Sequence, residues 1–167
     1  ERLCFMLDRI LPVAQETGLK ICLHPSDPPA PKLRGEERIM NCPQDFKQLI
    51  ELYPYDHLGI EFCQGTFAEM RGVGPKVIEL IKYFGKRNKI FYVHFRNIRG
   101  NFPVYEEAFI DSGDIDMGLA FRAYQDVGFE GVLVPDHVPL VTSSPEPWHI
   151  GMAHSIGYIK SLMDMNR

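Results

Sequence analysis

Apolar positions along the chain switch between two spacings, and the switches divide it into repeating units. Leu3, Met6, Leu7, Ile10, Leu11 and Ala14 recur at three and four residues, which predicts a helix. Gly18 is its expected C-cap, and Pro12 is expected to kink or shorten it. Residues 20–24 form a short β-like run that Pro25 stops, and a proline-rich loop follows to about residue 41. Pro43 suits the first turn of a second helix carrying Phe46, Leu49, Ile50 and Leu52. Residues 58–63 predict a second strand. A third helix is expected near Gly74-Pro75 with Val77, Ile78, Leu80 and Ile81, and a third strand over residues 89–94. After a long loop, Leu119, Ala120, Phe121 and Tyr124 mark a fourth helix. Residues 131–134 predict a fourth strand and residues 150–165 a last helix.

Strands alternating with helices of this length imply βαβ units and a parallel sheet. A dinucleotide fold is not supported: no GxGxxG follows the first strand, and Gly72-Val73-Gly74 lacks the third glycine. The expected fold is therefore α/β, a parallel (β/α)8 TIM barrel. A whole barrel takes eight units and about 250 residues. This chain of 167 residues supplies four. We expect residues 1–167 to form one domain, the C-terminal half of a barrel. The start at Glu1 favours an N-terminal half outside this chain over a pair of associating half-barrels.

Composition narrows the function classes. The formal charge is −4 and charged residues make up 24%, as in an ordinary soluble domain. No basic run supports nucleic-acid binding, which disfavours a DNA-repair endonuclease on the same architecture. No apolar stretch reaches the roughly 18 residues of a membrane span. The four cysteines, at positions 4, 22, 42 and 63, form no CxxC pair, and a reducing, cytoplasmic setting is expected.

Each predicted strand ends in a metal-capable residue: His24, Cys63, His94 and Asp136. A parallel barrel builds its active site at that end of its strands. Strand alternation puts Lys20, Cys22, Gly59, Glu61, Ile90 and Tyr92 on the same inner face, with Phe91 and Val93 facing the helices. Two imidazoles, a thiolate and a carboxylate suit a borderline divalent ion (Mn²⁺, Fe²⁺, Co²⁺ or Zn²⁺) better than Mg²⁺ or Ca²⁺. His137, directly after Asp136, is a candidate general acid or base, since imidazole titrates near neutral pH. Arg96, two residues past His94, is a candidate clamp for a carboxylate. His57 falls at the opposite end and receives no role; His149 and His154 are weaker candidates.

From His24-Pro25-Ser26-Asp27-Pro28-Pro29 onward the chain resembles the mannonate dehydratase family. The resemblance continues through Gly59-Ile60-Glu61-Phe62-Cys63-Gln64-Gly65-Thr66, Val93-His94-Phe95-Arg96-Asn97, Tyr105-Glu106-Glu107, Gly113-Asp114-Ile115-Asp116-Met117 and Pro135-Asp136-His137. It implies a xylose-isomerase-like barrel in which His24, Cys63, His94 and Asp136 hold Mn²⁺ or a similar divalent ion such as Fe²⁺. It further implies dehydration of D-mannonate to 2-keto-3-deoxy-D-gluconate in cytoplasmic hexuronate breakdown, and self-association into a homo-oligomer. His137 matches a family histidine placed for proton transfer. Val134 stands where the family usually has arginine, and Val138 where it usually has glycine.

This reaction removes the proton at C2 and expels the hydroxyl at C3. The expected roles are proton transfer for His137, in a direction left open, contact with the substrate carboxylate for Arg96, and orientation of a ligand or substrate hydroxyl for Asp27. The alternatives are another metal-dependent TIM-barrel sugar-acid dehydratase or sugar isomerase, or a half-barrel module inactive without its partner half.

Overall fold

The computed structural model describes residues 1–143 and 145–165. Four parallel strands form the central sheet: β1 (Ile21–Leu23), β4 (Leu58–Cys63), β5 (Ile90–His94) and β8 (Val132–Val134). They lie side by side in chain order, β1-β4-β5-β8. A doubly wound sheet reverses its order at a switch point; this one does not. With right-handed crossovers, an unreversed order puts every connecting helix on one face and leaves the other as an interior. That is the arrangement of half a barrel. Among the described residues the outer strands β1 and β8 each pair on one side only.

The helices are α1 (Arg2–Thr17), α2 (Pro43–Leu52), α3 (Gln64–Glu69), α4 (Val77–Gly85), α5 (Met117–Asp126) and α6 (Pro147–Met165). Their ends follow local rules. Gly18 adopts the left-handed conformation, φ 71°, that closes α1. Pro43 opens α2, where Cys42 and Asp45 form a capping box. Asp116 caps α5 by accepting from the Leu119 amide at 2.8 Å. Pro12 does not end α1, which continues to Thr17.

The face toward the helices is apolar. Phe46, Phe62, Phe67 and Phe84 are fully buried, and Phe62 stacks on Phe67 with ring centroids 4.4 Å apart. Burial of each such ring contributes roughly 1.5–3 kcal/mol.

Two features depart from the expected pattern. The β4–β5 register pairs Ile60 with Ile90 and then Glu61 with Tyr92, leaving Phe91 as an extra residue. The step exchanges two side chains relative to strict alternation. Ile90 joins the buried core, whereas Phe91 covers Gly59: a Cβ on Gly59 would meet its ring at 2.6 Å. The expected long loops, in turn, contain two hairpins: β2 (Lys32–Leu33) with β3 (Glu36–Glu37), and β6 (Ile98–Asn101) with β7 (Val104–Glu107). The second carries polar residues back over the carboxyl end of the sheet.

Candidate metal centre and proton-transfer site

The sheet register brings the strand ends level. Cys63 pairs with His94, and His94 with Val134. His24 directly follows β1, and Asp136 lies two residues past β8. The ligand atoms of His24, Cys63 and His94 all lie within 4.8 Å of one another. Asp136 reaches the same place from a left-handed backbone, φ 64°, a conformation aspartate tolerates better than most residues. Its Oδ2 lies 3.5 Å from His94 Nδ1 and 3.7 Å from Cys63 Sγ. The four strand-end residues therefore gather in one cluster, tightest around His24, Cys63 and His94.

The hydrogen bonds fix which nitrogen each histidine offers. His24 Nδ1 bonds the Pro25 carbonyl at 2.7 Å. A carbonyl only accepts, so Nδ1 carries the proton and Nε2 holds the lone pair. His94 is turned the other way: Nε2 sits 2.8 Å from Glu61 Oε1, while the buried Nδ1 has no hydrogen-bond partner among the described residues. An orphaned buried nitrogen is costly. A divalent ion satisfies it, and a histidine gripped by a carboxylate through its other nitrogen is the usual second half of such a site. Burial pulls the His94 pKa down, but the nearby Cys63, Asp136 and Glu61 outweigh it and the net shift is upward. The donor set fits a borderline divalent metal.

Arg96 is placed differently from expectation. It is 2% exposed and its donors face the protein. Nε donates to Glu107 Oε2 at 2.9 Å and Nη2 to Glu107 Oε1 at 2.7 Å, a bidentate pair. Nη2 also meets Glu69. Nη1 donates to Asp27 Oδ2 at 3.0 Å and Thr66 Oγ1 at 3.3 Å, and lies 3.7 Å from Cys63 Sγ. A substrate carboxylate would have to displace one of these partners. Gly65 allows the arrangement, since a Cβ there would meet the Arg96 side chain at 2.9 Å. Asp27 is likewise committed, to Arg96 and to Thr66 Oγ1 at 3.2 Å. His137 stays half-exposed at the mouth, with Nδ1 3.2 Å from Glu107 Oε1. His57 bonds the Leu19 carbonyl below the sheet, and His154 pairs with Asp111.

Arg96 thus sits among more carboxylates than it can neutralise. Burial of Glu69, countered in part by Arg96 and reinforced by Asp27 and Glu107, lifts its pKa from 4.5 to about 7. A carboxyl that binds its proton more tightly when folded leaves stability unaffected at low pH. Its contribution becomes unfavourable as the pH rises from about 4.5 to about 7, and is constant above that. Glu69→Gln should therefore gain on the parent by roughly 2–3 kcal/mol between pH 4.5 and 8. Urea unfolding of both chains at the two pH values measures this. An unchanged difference would show that folding does not raise the Glu69 pKa.

Three residues of this site received no role from the sequence: Glu61 and Glu107, which lie inside segments that carry the family resemblance, and Glu69, which lies outside them. Strand alternation marked Glu61 as an inward position two before Cys63, without a role. Glu69 and Glu107 depend on α3 and on the β6–β7 hairpin, neither of which the apolar spacing revealed.

A profile of the D-mannonate dehydratase (UxuA) family matches residues 1–166. The chain belongs to that family. It is 33% identical over 146 residues to the mannonate dehydratase of Thermotoga maritima, covering 84% of this chain and 39% of that protein. It is 34% identical over 140 residues to mannonate dehydratase 2 of Halalkalibacterium halodurans, covering 82% and 40%. The crystal structure of mannonate dehydratase from Streptococcus suis serotype 2 superposes with a TM-score of 0.84 at 31% identity, over 98% of this chain and 48% of that one. A D-tagatose 3-epimerase-like protein shares the fold alone, with a TM-score of 0.63 at 21% identity, over 95% and 52%. The chain thus spans about two fifths of the curated family members it matches. No helix among the described residues is long and apolar enough to cross a membrane.

Proposed function

We propose that this chain carries the metal-binding and proton-transfer half of a cytoplasmic mannonate dehydratase, which converts D-mannonate to 2-keto-3-deoxy-D-gluconate and water. The observation that carries the reading is the pair of opposed histidine tautomers. His24 offers Nε2 and His94 offers Nδ1 into one cluster with Cys63, and the Asp136 carboxylate lies beside it. We assign His24, Cys63, His94 and Asp136 as ligands of Mn²⁺ or a similar ion. The unpaired edges of β1 and β8 support completion of the barrel by four further strands, and family membership supports a homo-oligomer.

When bound, the ion supplies positive charge against the negative charge that develops on the sugar-acid oxygens as C2 loses its proton. The chain's own residues do the rest. Glu61 holds the proton on His94 Nε2 and fixes the ring. Arg96 ties Asp27, Glu69 and Glu107 into a rigid floor beneath the site. His137, at the mouth, moves one of the two protons: it takes the C2 proton or gives one to the departing C3 hydroxyl.

The test is a 2-keto-3-deoxy acid assay with D-mannonate, with and without Mn²⁺, on the metal-stripped parent protein in which the barrel is complete. Product that requires Mn²⁺ is expected. No product from folded, metal-loaded protein would overturn the substrate assignment and direct the search to other sugar acids.

A further inference from the structure

Glu107 ends β7, in the hairpin that crosses the carboxyl end of the sheet. Two different groups meet its carboxylate. Arg96 donates to both oxygens, at 2.9 and 2.7 Å. His137 Nδ1 lies 3.2 Å from Oε1. A carboxylate has no proton to give, so in this contact Nδ1 is the donor. In the neutral ring the lone pair is then on Nε2, which lies 3.8 Å from Asp136 Oδ1, on the side of the metal cluster.

We infer that Glu107 is the positioning residue for His137: it keeps the proton on Nδ1 and presents Nε2 to the substrate, while Arg96 holds Glu107 in place. The inference rests on the reading of His137 as the proton-transfer group. The mechanical logic runs from buried to exposed. The Arg96 side chain is 1% exposed and is gripped from three directions, by Glu107, Glu69 and Asp27. Glu107 is bound to it through both oxygens, so its position is set by the core rather than by solvent. The His137 side chain is 55% exposed. Without a fixed acceptor its ring would be free to turn and to exchange tautomers, and a base with its lone pair on the wrong nitrogen does not react.

The decisive measurement is the tautomer of the His137 ring, read from ¹⁵N–¹H correlation spectra of the full chain at a pH where the ring is neutral. His137→Asn identifies its signals. The Nδ1–H form is expected to dominate in the parent. In Glu107→Ala it should give way to the Nε2–H form that free imidazole side chains favour. Glu107→Gln preserves the shape of the side chain and serves if the alanine variant does not fold; it too should lose the strong Nδ1–H preference. In the assay with D-mannonate, Glu107→Gln should lower kcat roughly 10- to 100-fold with KM within about twofold. That loss is smaller than the ~10⁴ of a buried triad aspartate, because this pair is open to solvent. An Nε2–H ring in the parent, the same tautomer in parent and variant, or an unchanged kcat would each overturn the inference. If the parent itself does not turn over D-mannonate, the dehydratase reading fails, and the spectra alone then decide whether Glu107 orients the ring.

Discussion

His94→Ala should lower affinity for divalent metal by at least about 100-fold while the chain stays folded. Second-sphere changes at such sites already cost roughly 10–100-fold, and this substitution removes a ligand. Two observations make His94 the most informative position. Its Nδ1 is buried with no hydrogen-bond partner among the described residues, Asp136 Oδ2 lying 3.5 Å away, and a divalent ion between them would satisfy it. Its Nε2 is held by Glu61 at 2.8 Å, so the ring cannot turn to satisfy itself. Competition of Mn²⁺ and Zn²⁺ against a chromophoric chelator gives the affinity, and circular dichroism monitors folding. Cys63→Ser supplies the chemical contrast. Exchange of thiolate for hydroxyl should weaken Zn²⁺ more than Mn²⁺, because the softer ligand favours the more thiophilic ion. Equal affinity of His94→Ala and the parent would remove the metal centre from the proposal and leave the cluster as packing.

The proposed ligand positions were readable from sequence because strand ends depend on local rules. A strand shows itself in a short β-like run, a proline or glycine stops it, and the residue at its C-terminal end is then defined. His24 obeys that rule through Pro25; Cys63 and His94 end their β-like runs, Asp136 lies two residues past β8 just after Pro135, and parallel pairing in chain order brings the four together. What remained hidden depends on contacts distant in sequence or on elements too short to have a period. The six residues of α3 complete less than two turns, and all six are buried, so no amphipathic stripe exists to detect. The β6 and β7 strands are four residues each and largely polar. Phe91 and Ile90 exchanged faces because one register step cannot be seen without the partner strand.

Arg96 shows the same limit in chemical form. Its position near the site was readable, and so was its charge. Its direction was not, because that is set by Glu69 on α3 and Glu107 on β7, neither of them in a segment the pattern resolved. An arginine at the mouth of a polar barrel suggests a substrate clamp. An arginine against Gly65 with Asp27, Glu69, Glu107 and, at 3.7 Å, Asp136 around it acts on the chemistry through the residues it holds.

His137→Asn should leave metal affinity unchanged and lower kcat for D-mannonate by about 10²–10⁴-fold, the usual contribution of one general acid–base group. The separation of the two effects is the point of the experiment. His137 neighbours a proposed ligand in sequence, yet it is not part of the His24–Cys63–His94 group, and its Nδ1 is held by Glu107 at 3.2 Å. Its side chain is 55% exposed, so replacement creates no cavity and exposes no core. Asparagine retains an amide that can still donate to Glu107, which preserves the Arg96 network, but it has no group that exchanges a proton near neutral pH. A fall in metal affinity together with kcat would make His137 part of the metal site instead. Full turnover would transfer the proton step to another residue. A loss of kcat at constant affinity and constant KM assigns His137 to the transition state alone, since an interaction that matters only there leaves substrate binding untouched.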